Sequence, residues 1–264
     1  MPPINASWTE AFLSGAKIPD LALRPGGGSN DWSSDYKTCI SSSHWAVSYD
    51  DGPGPFTQAV IDKLDSIGKK GTFFFIGSYI LENQQILRNA YNSGHQICGH
   101  TWSHKLLTSL TNDEIVAEVV WTAQLIYDII GVAPTCIRPP FGDIDERVRA
   151  VLNAMGMDVI IWNRDSNDWV LGSTDPKDFF GDKAETAIPA KFASWVSQEP
   201  MAGSISLQHG IFFSLGGIAP SLDVLNQSRY SLVNISECIG KTAYSNKLLL
   251  KASLLLDVSD AAKS

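Results

Sequence analysis

The sequence has no hydrophobic run long enough to cross a membrane and no cluster of basic residues. A transmembrane helix needs about 20 consecutive apolar residues, and no apolar run of even eighteen occurs in the 264-residue chain. The formal net charge is −8, and the 20 Lys and Arg residues are dispersed along the chain. Binding to a phosphate backbone requires concentrated positive charge. We therefore expect neither a transmembrane segment nor a nucleic-acid partner.

Cysteine is also scarce, and its spacing excludes a common kind of metal site. The chain has four cysteines, and no two of them form a C-x-x-C pair, so a Cys-ligated zinc site is not expected. Cys39 and Cys238 lie in polar, loop-like segments. Cys98 and Cys136 lie in short apolar runs, and we interpret them as small buried core residues.

Signals for the cellular compartment are weak. The first residues, MPPINASW, contain no apolar signal core, and the last, DVSDAAKS, contain no anchor tail. Three N-x-Ser sequons begin at Asn5, Asn226 and Asn234, which are the candidate glycosylation sites. Chance alone produces sequons at about this frequency, so they give little support for secretion.

The chain shows no internal repeat, and its organisation changes near residue 43. Residues 1–42 are rich in Gly, Ser and Pro and are predicted to wrap the surface as an irregular segment. From residue 43, short apolar runs alternate with segments of helical period. The predicted strands are Trp45–Tyr49, Thr72–Ile76, His95–Cys98, Cys136–Arg138, Asp158–Trp162 and Ser204–Gln208. The predicted helices are Phe56–Ile67, Ile80–Asn92, Asn112–Ile130, Glu146–Met155, Ala190–Ser197 and Leu222–Cys238.

Capping residues support several of these helices. Thr111 and Glu114 are spaced as a capping box at the start of the helix Asn112–Ile130. Glycines stand where helices should end, at Gly68, Gly94, Gly131 and Gly156.

Strands that alternate with helices predict an α/β fold with a parallel sheet covered on both sides. At this length, six or more such units indicate a single domain built as a distorted or incomplete (β/α) barrel. A flat doubly wound sheet is the alternative. In either architecture, reactive groups gather at the carboxyl ends of the strands.

Polar residues follow two of the predicted strands at those ends. Asp50 and Asp51 are adjacent carboxylates after the first strand, and His100 and His104 follow the third. Histidines four apart on one helical turn project to the same side and can chelate a divalent metal. A carboxylate is a common third ligand, so one aspartate can bind the metal while its neighbour acts as a base. His44 and His95 have no such partners and are interpreted as structural.

Five segments resemble the motifs of a known family. SYDDGPGP, HTWSH, RPPFG, DSNDW and ISLQH occur in the order and rough spacing of the motifs of the polysaccharide deacetylases, carbohydrate esterase family 4, which share a NodB-like domain. The resemblance covers residues 43–240 as a catalytic domain and leaves 241–264 as a C-terminal extension. VNISECIG near the end, together with Cys39, is most similar to the fungal chitin deacetylases.

The resemblance implies a role for each motif residue. A divalent metal, most simply Zn²⁺ with Co²⁺ as a substitute, would be held by Asp51, His100 and His104. Asp50 would be the catalytic base, and Arg138 would pair with it and keep it ionised. His209 would be the general acid, oriented and charged by Asp165.

The remaining motif residues would shape the substrate site. The backbone N–H of Phe141 would help to bind the oxyanion, and Trp169 and Leu207 would receive the acetyl methyl. Ordinary structural interpretations stay open, because Trp169 and Leu207 suit a core and Asp165 and Asp168 suit solvated caps. A disulfide between Cys39 and Cys238 is also expected.

The implied activity is removal of N-acetyl groups from N-acetylglucosamine residues of chitin or chitooligosaccharides, with release of acetate. Peptidoglycan N-deacetylation, acetylxylan esterase activity and non-catalytic glycan binding are the alternatives. We expect a secreted or cell-wall-associated monomer. The departures from the family pattern, Ser48-Tyr49, Gly99, Lys105 and Phe141, remove no ligand, base or acid.

Overall fold

A computed structural model describes residues 1–25, 27, 31–171, 181–198, 202–210 and 215–253. Its strands are β1 (His44–Gly52), β2 (Thr72–Phe75), β3 (Gln96–Gly99), β4 (Cys136–Ile137), β5 (Asp158–Val159), β6 (Arg164–Asp165), β7 (Ser204–His209) and β8 (Ser231–Val233). Its helices are α1 (Ala6–Leu13), α2 (Thr57–Ser66), α3 (Gly77–Glu82), α4 (Gln84–Asn92), α5 (Asn112–Ile130), α6 (Glu146–Ala154), α7 (Asp168–Leu171), α8 (Gly181–Ser197), α9 (Leu215–Asn226) and α10 (Ile235–Ile239). Within these described ranges, no helix is both long and apolar enough to span a membrane.

The strands form one parallel sheet in the order β5-β4-β3-β2-β1-β7-β6, and β8 pairs with the first residues of β1. β5 and β6 are six strand spacings apart along this path, which would be about 29 Å in a flat sheet. The chain passes from Val159 to Arg164 in five residue steps, which reach at most about 18 Å. The sheet must therefore curl until its ends approach each other. The fold is an incomplete (β/α) barrel in a single α/β domain, and the flat alternative is excluded.

Strand β1 is buried on both faces and places the first aspartate. Trp45, Val47 and Tyr49 pack into the apolar cluster formed with the surrounding helices. Ala46 belongs instead to the cluster on the inner side of the barrel. Because side chains alternate along a strand, Asp50 shares the inward face with Ala46. The carboxylate therefore lies at the mouth of the barrel interior.

The capping signals in the sequence are confirmed. Thr111 accepts a hydrogen bond from the Glu114 N–H, and the Glu114 carboxylate accepts one from the Thr111 N–H, which completes the capping box of α5. Gly131 ends the same helix in the left-handed region, with φ at 78°. The other three glycines also have positive φ just after helices.

Three predicted helices are wrong in extent. The helix predicted over Ala190–Ser197 begins earlier, as α8 (Gly181–Ser197). The segment predicted as one helix, Leu222–Cys238, contains the end of α9, strand β8 and helix α10. Pairing of β2 with β1 begins only at Ser48, so the first part of β1 has a free edge that β8 occupies. The predicted helix Ile80–Asn92 is interrupted at Asn83, whose φ of −130° is not helical and separates α3 from α4.

The N-terminal segment is not wholly irregular. It contains α1, which Asn5 caps by accepting a hydrogen bond from the Ser7 N–H. Trp8 and Phe12 on this helix are buried in the cluster that includes residues of α5 and α6. The segment therefore wraps the barrel through a docked helix. Residues 26, 28–30 and 254–264 of the predicted terminal segments lie outside the described residues.

All four cysteines are paired in disulfides. Cys39 is joined to Cys238, as expected from the resemblance. Cys98 is joined to Cys136, so their interpretation as free core cysteines is wrong. The two residues do lie in the core, but β3 and β4 are neighbours in the sheet and bring the two sulfurs together. That adjacency is a property of strand order, which the apolar runs do not reveal.

The Cys39–Cys238 bridge is expected to contribute strongly to stability. It closes a segment with a sequence separation of 199, for which the chain-entropy model gives an upper value of about 5 kcal/mol. Replacing both cysteines with serine should lower the free energy of unfolding in urea by several kcal/mol. Peptide mapping without reductant checks the pairing itself. A free Cys39 thiol in the oxidised protein would contradict it.

The three sequon asparagines differ in their surroundings. Asn226 is exposed at the end of α9. Asn5 and Asn234 use their side-chain oxygens to cap α1 and α10. Glycosylation at all three positions stays a prediction, and Asn226 has the most accessible side chain.

Candidate active site and metal centre

A cavity of about 500 Å³ opens at the carboxyl edge of the sheet, where the loops after the strands meet. Both paired carboxylates and both histidines of the predicted chelate contribute to it. The cavity is lined by Asp50, Asp51, His100, His104, Phe141, Trp162, Asp165, Trp169, Leu207 and His209.

Asp50 is held by a fully buried arginine. The Arg138 Nη1 donates to Asp50 Oδ1 at 2.6 Å, and Arg138 itself has no exposed surface. The rest of the guanidinium donates to the carbonyls of Ile160 and Ile161 and lies over the Phe74 ring. A buried charge is tolerated only when it is paired and hydrogen-bonded. Arg138 therefore serves as the ion-pair partner of Asp50.

Asp51, His100 and His104 form a compact set of donors. The Asp51 Oδ1 lies 3.3 Å from His100 Nε2 and 3.1 Å from His104 Nε2. It is buried, and no group donates a well-formed hydrogen bond to it. One donor atom from each of the three residues can be chosen so that all lie within 4.8 Å of one another.

The protonation pattern of His100 also fits a cation. Its Nδ1 lies 2.7 Å from the Arg138 carbonyl oxygen, which can only accept, so Nδ1 carries the proton. The other ring nitrogen, Nε2, lies 3.3 Å from Asp51 Oδ1, on the side of the donor set. One carboxylate and two imidazole nitrogens are a donor set that suits Zn²⁺. The residues present fit a divalent metal.

The electrostatic state of Asp51 agrees with this donor set. Burial by itself would raise the pKa of Asp51, but the imidazoles of His100 and His104 outweigh it and hold that pKa well below its ordinary value. Asp51 is therefore a carboxylate anion at neutral pH.

The backbone explains how two adjacent aspartates reach one cavity. The pairing of β1 with β2 becomes irregular between Tyr49 and Gly52, and Asp51 adopts a left-handed φ of 67°. In a regular strand the two side chains would point to opposite faces. Here both line the same cavity. A non-glycine residue in this conformation costs about 1–3 kcal/mol, so the surrounding structure must stabilise it.

The two histidines do not lie on a helical turn, so that part of the prediction is wrong. Residues 100–104 form a loop in which Thr101 and His104 have φ values of 62° and 55°. The Thr101 hydroxyl accepts a hydrogen bond from the His104 N–H. The loop nevertheless places the two rings 4.9 Å apart. The predicted chelate is thus correct in its members and wrong in its backbone.

His209 is paired with Asp168, and the predicted partner Asp165 is wrong. The His209 Nδ1 donates to Asp168 Oδ1 at 2.8 Å, and the His209 backbone N–H donates to Asp168 Oδ2 at 2.7 Å. Asp165 lines the cavity but accepts a hydrogen bond from the Asn167 N–H. Asn167 has a φ of 57°, and the resulting turn directs Asp168, at the start of α7, toward β7.

The Asp168 contact controls the charge of His209. Burial by itself would lower the pKa of His209, but the Asp168 carboxylate outweighs it and raises that pKa to about 9. Asp51 and Asp50 act in the same direction. His209 is therefore an imidazolium at neutral pH, with Nε2 on the side of the cavity, 3.9 Å from Asp51 Oδ2.

The remaining walls are largely aromatic or aliphatic. Leu207 is buried, whereas Trp169 and Phe141 are 51% and 62% exposed at the rim. Phe141 has a left-handed φ of 61°, and its ring lies 4.6 Å from that of His104. Gly142 follows it, and a Cβ at Gly142 would lie only 2.8 Å from the Trp32 ring. Glycine is therefore required there for the close packing that supports the loop.

Comparisons with known proteins agree with this geometry. The polysaccharide deacetylase family matches residues 37–160. Chitin deacetylase 1 of Cryptococcus neoformans is 36% identical over 91% of this chain and 57% of its own length. The chain contains a polysaccharide deacetylase domain.

Solved structures resemble the deacetylase domain along most of its length. The Bc1960 peptidoglycan N-acetylglucosamine deacetylase is 26% identical, with a TM-score of 0.69 over 80% of this chain and 94% of its own. The chitin deacetylase of Colletotrichum lindemuthianum has a TM-score of 0.72 over 80% of this chain and 95% of its own. Because the Colletotrichum lindemuthianum protein is only 24% identical, its similarity supports the fold alone. The chain spans about half the length of the curated relatives it matches.

Some residues of the deacetylase domain site were not found by sequence reasoning. Trp162 lines the cavity, whereas the sequence predicts it only as the end of a strand. The sequence leaves a solvated cap open for Asp168, but Asp168 is fully buried. The motif DSNDW offers two aspartates three residues apart, and no local pattern tells which one turns toward the barrel.

Proposed function

We propose that this protein is a metal-dependent hydrolase that removes N-acetyl groups from N-acetylglucosamine residues of chitin or chitooligosaccharides and releases acetate. One observation carries the proposal. A carboxylate held by a buried arginine and an imidazolium held by a buried aspartate contribute to the same cavity as an Asp-His-His donor set. A base, an acid and an electrophile site are the components that amide hydrolysis requires.

Asp51, His100 and His104 would hold the divalent ion, Zn²⁺ in our proposal. When bound, such an ion polarises a carbonyl oxygen and makes a water molecule more acidic. Asp50 then accepts a proton from the attacking water, and Arg138 keeps its carboxylate oriented. Leu207 and Trp169 form the apolar wall that receives the acetyl methyl group.

His209 completes the reaction as the general acid. Amines are poor leaving groups until they are protonated, so hydrolysis of the amide needs a proton at the nitrogen. His209 carries that proton at neutral pH, and its Nε2 is on the side of the cavity. Phe141 lies at the rim, where its backbone N–H can stabilise charge on the acetyl oxygen.

The substrate class is tested by comparing acetate release from chitin oligomers, acetylxylan and peptidoglycan under identical conditions. Turnover should be highest on chitin oligomers. Acetate from acetylxylan alone would identify an esterase, and preference for peptidoglycan would identify the other N-deacetylase. Binding to chitin without acetate release from any substrate would show that the protein is a glycan-binding protein and not an enzyme.

We also propose that the protein acts outside the cytoplasm, in secreted or cell-wall-associated form. Both disulfides support this, since disulfides persist mainly in oxidising compartments. An insoluble polymer such as chitin would also be met there.

Replacing Asp168 with Asn should shift the alkaline limb of the pH–rate profile. The acid must be protonated, and Asp168 is the nearby charge that raises the pKa of His209 to about 9. Removing an adjacent opposite charge lowers such a pKa by about one to three units. Activity of Asp168→Asn should therefore be lost at a correspondingly lower pH, with metal content unchanged.

The matched control is Asp165→Asn, which removes a carboxylate three residues earlier in the same cavity. The alkaline limb of its pH–rate profile should stay where it is in the parent enzyme. Asp165 accepts a hydrogen bond from the Asn167 N–H, whereas His209 is paired with Asp168. A shift in Asp165→Asn with none in Asp168→Asn would contradict the assignment.

A further inference from the structure

The loop that carries both metal-ligand histidines is anchored to a buried glutamate on α5. Glu118 has no exposed surface. Its Oε2 accepts hydrogen bonds from the backbone N–H groups of Trp102 and Ser103 at 2.7 and 2.8 Å. Its Oε1 accepts one from the Ser103 hydroxyl at 2.5 Å. Three donors from two consecutive loop residues thus converge on one carboxylate.

These anchors act on the part of the loop between the two histidines. Thr101 and His104 flank Trp102 and Ser103, and both have left-handed backbone conformations that non-glycine residues rarely adopt. Such conformations persist only when the surrounding structure determines them. Without the carboxylate, the two backbone N–H groups would be left unpaired beside a buried helix, and the loop would relax.

The other side of the loop is also fixed. The carbonyls of Thr101 and Trp102 accept hydrogen bonds from the N–H groups of Gly77 and Ser78 at the start of α3. A side chain at Gly77 would lie 2.6 Å from the Trp102 ring. The loop is therefore clamped between α3 and α5, and Glu118 is the only charged group in the contacts just described.

We propose that Glu118 is a positioning residue for metal binding, which preorganises His100 and His104 before the ion arrives. This inference rests on the proposed function, because it takes the Asp51, His100 and His104 set as the metal site. Glu118 does not touch the ligand atoms. It acts by holding the backbone that joins them.

The test measures Zn²⁺ affinity directly, by titrating the metal-free protein with Zn²⁺ against a chromophoric chelator. Residues that orient metal ligands typically change metal affinity by about 10–100-fold when mutated. Glu118→Gln should therefore raise the Kd for Zn²⁺ by that factor. Ser103→Ala removes one of the three hydrogen bonds and keeps the buried charge paired with the two N–H groups, so its Kd should rise by less.

The matched control is Glu114→Gln, which makes the same change at the N-terminus of the same helix. A glutamine can still accept from the Thr111 N–H, but the change removes a negative charge from the first turn of α5, so it should lower the melting temperature slightly while leaving the Kd for Zn²⁺ unchanged. If Glu118→Gln fails to fold, Ser103→Ala against Glu114→Gln decides the question. Unchanged zinc affinity in Ser103→Ala and in any folded Glu118→Gln, or equal weakening in Glu114→Gln, would overturn the inference. A parent protein that binds no Zn²⁺ would instead overturn the proposed metal dependence.

Discussion

Removal of divalent metal should reduce acetate release below detection, and added Zn²⁺ or Co²⁺ should restore it. The described residues that line the cavity include no lysine or arginine that could take the place of the ion. Arg138, the nearest cationic side chain to Asp50, is buried and already committed to it. The experiment is dialysis against a chelator, followed by acetate measurement before and after metal addition, with metal content determined in parallel.

Ligand variants sharpen this prediction. His104→Gln should lose both zinc and activity, because its Nε2 belongs to the donor set. His44→Gln is the matched control, since His44 lies at the first residue of β1, at the opposite end of that strand from the cavity. It should retain both. Full activity in protein verified to be free of metal would refute the mechanism.

Asp50→Asn should lower kcat by about 10²–10⁴-fold, the usual contribution of a general base, while zinc stays bound. Asparagine preserves the size of the side chain but cannot accept the proton. Metal should remain because Asp51, His100 and His104 are unchanged. Steady-state kinetics on a chitin oligomer and metal analysis of the same sample check both halves of the prediction.

The matched variant is Asp51→Asn at the adjacent position, which should lose the metal. Because Asp50→Asn leaves Arg138 buried without its anionic partner, circular dichroism and a thermal melt must show that the variant is folded. The carbonyls of Ile160 and Ile161 still accept from the guanidinium. A folded Asp50→Asn protein with near-parental kcat would remove Asp50 from the role of base.

The members of the site could be predicted because each belongs to a pattern contained in one short stretch of sequence. Each strand that ends in a polar residue can be recognised from its apolar run, and carboxyl ends of parallel strands meet at one edge. That reasoning placed Asp50, Asp51, His100 and His104 together, and the structure does the same. The capping box of α5 is equally local, since Thr111 and Glu114 are three residues apart.

The partner of His209 depended on a turn. Asp165 and Asp168 have the same chemistry and belong to one motif. The left-handed backbone at Asn167 and the packing of α7 on β7 decide which carboxylate is buried against the histidine. Glu118 shows the same dependence, because it reaches the metal loop only through the packing of α5 beside residues 102–103.

By itself, the sequence determined the positions of strands β1, β2, β3 and β7 and the charged residues that follow them. It also determined that the sheet is parallel. Those properties follow from hydrophobic period and local turn chemistry. Only the tertiary structure decided between the curled and the flat sheet and brought Cys98 to Cys136. It also decided how the adjacent residues Asp50 and Asp51 reach one cavity, and that Asp168 charges His209. Each of these depends on strand order or on a strained backbone angle, which residues distant in the chain impose.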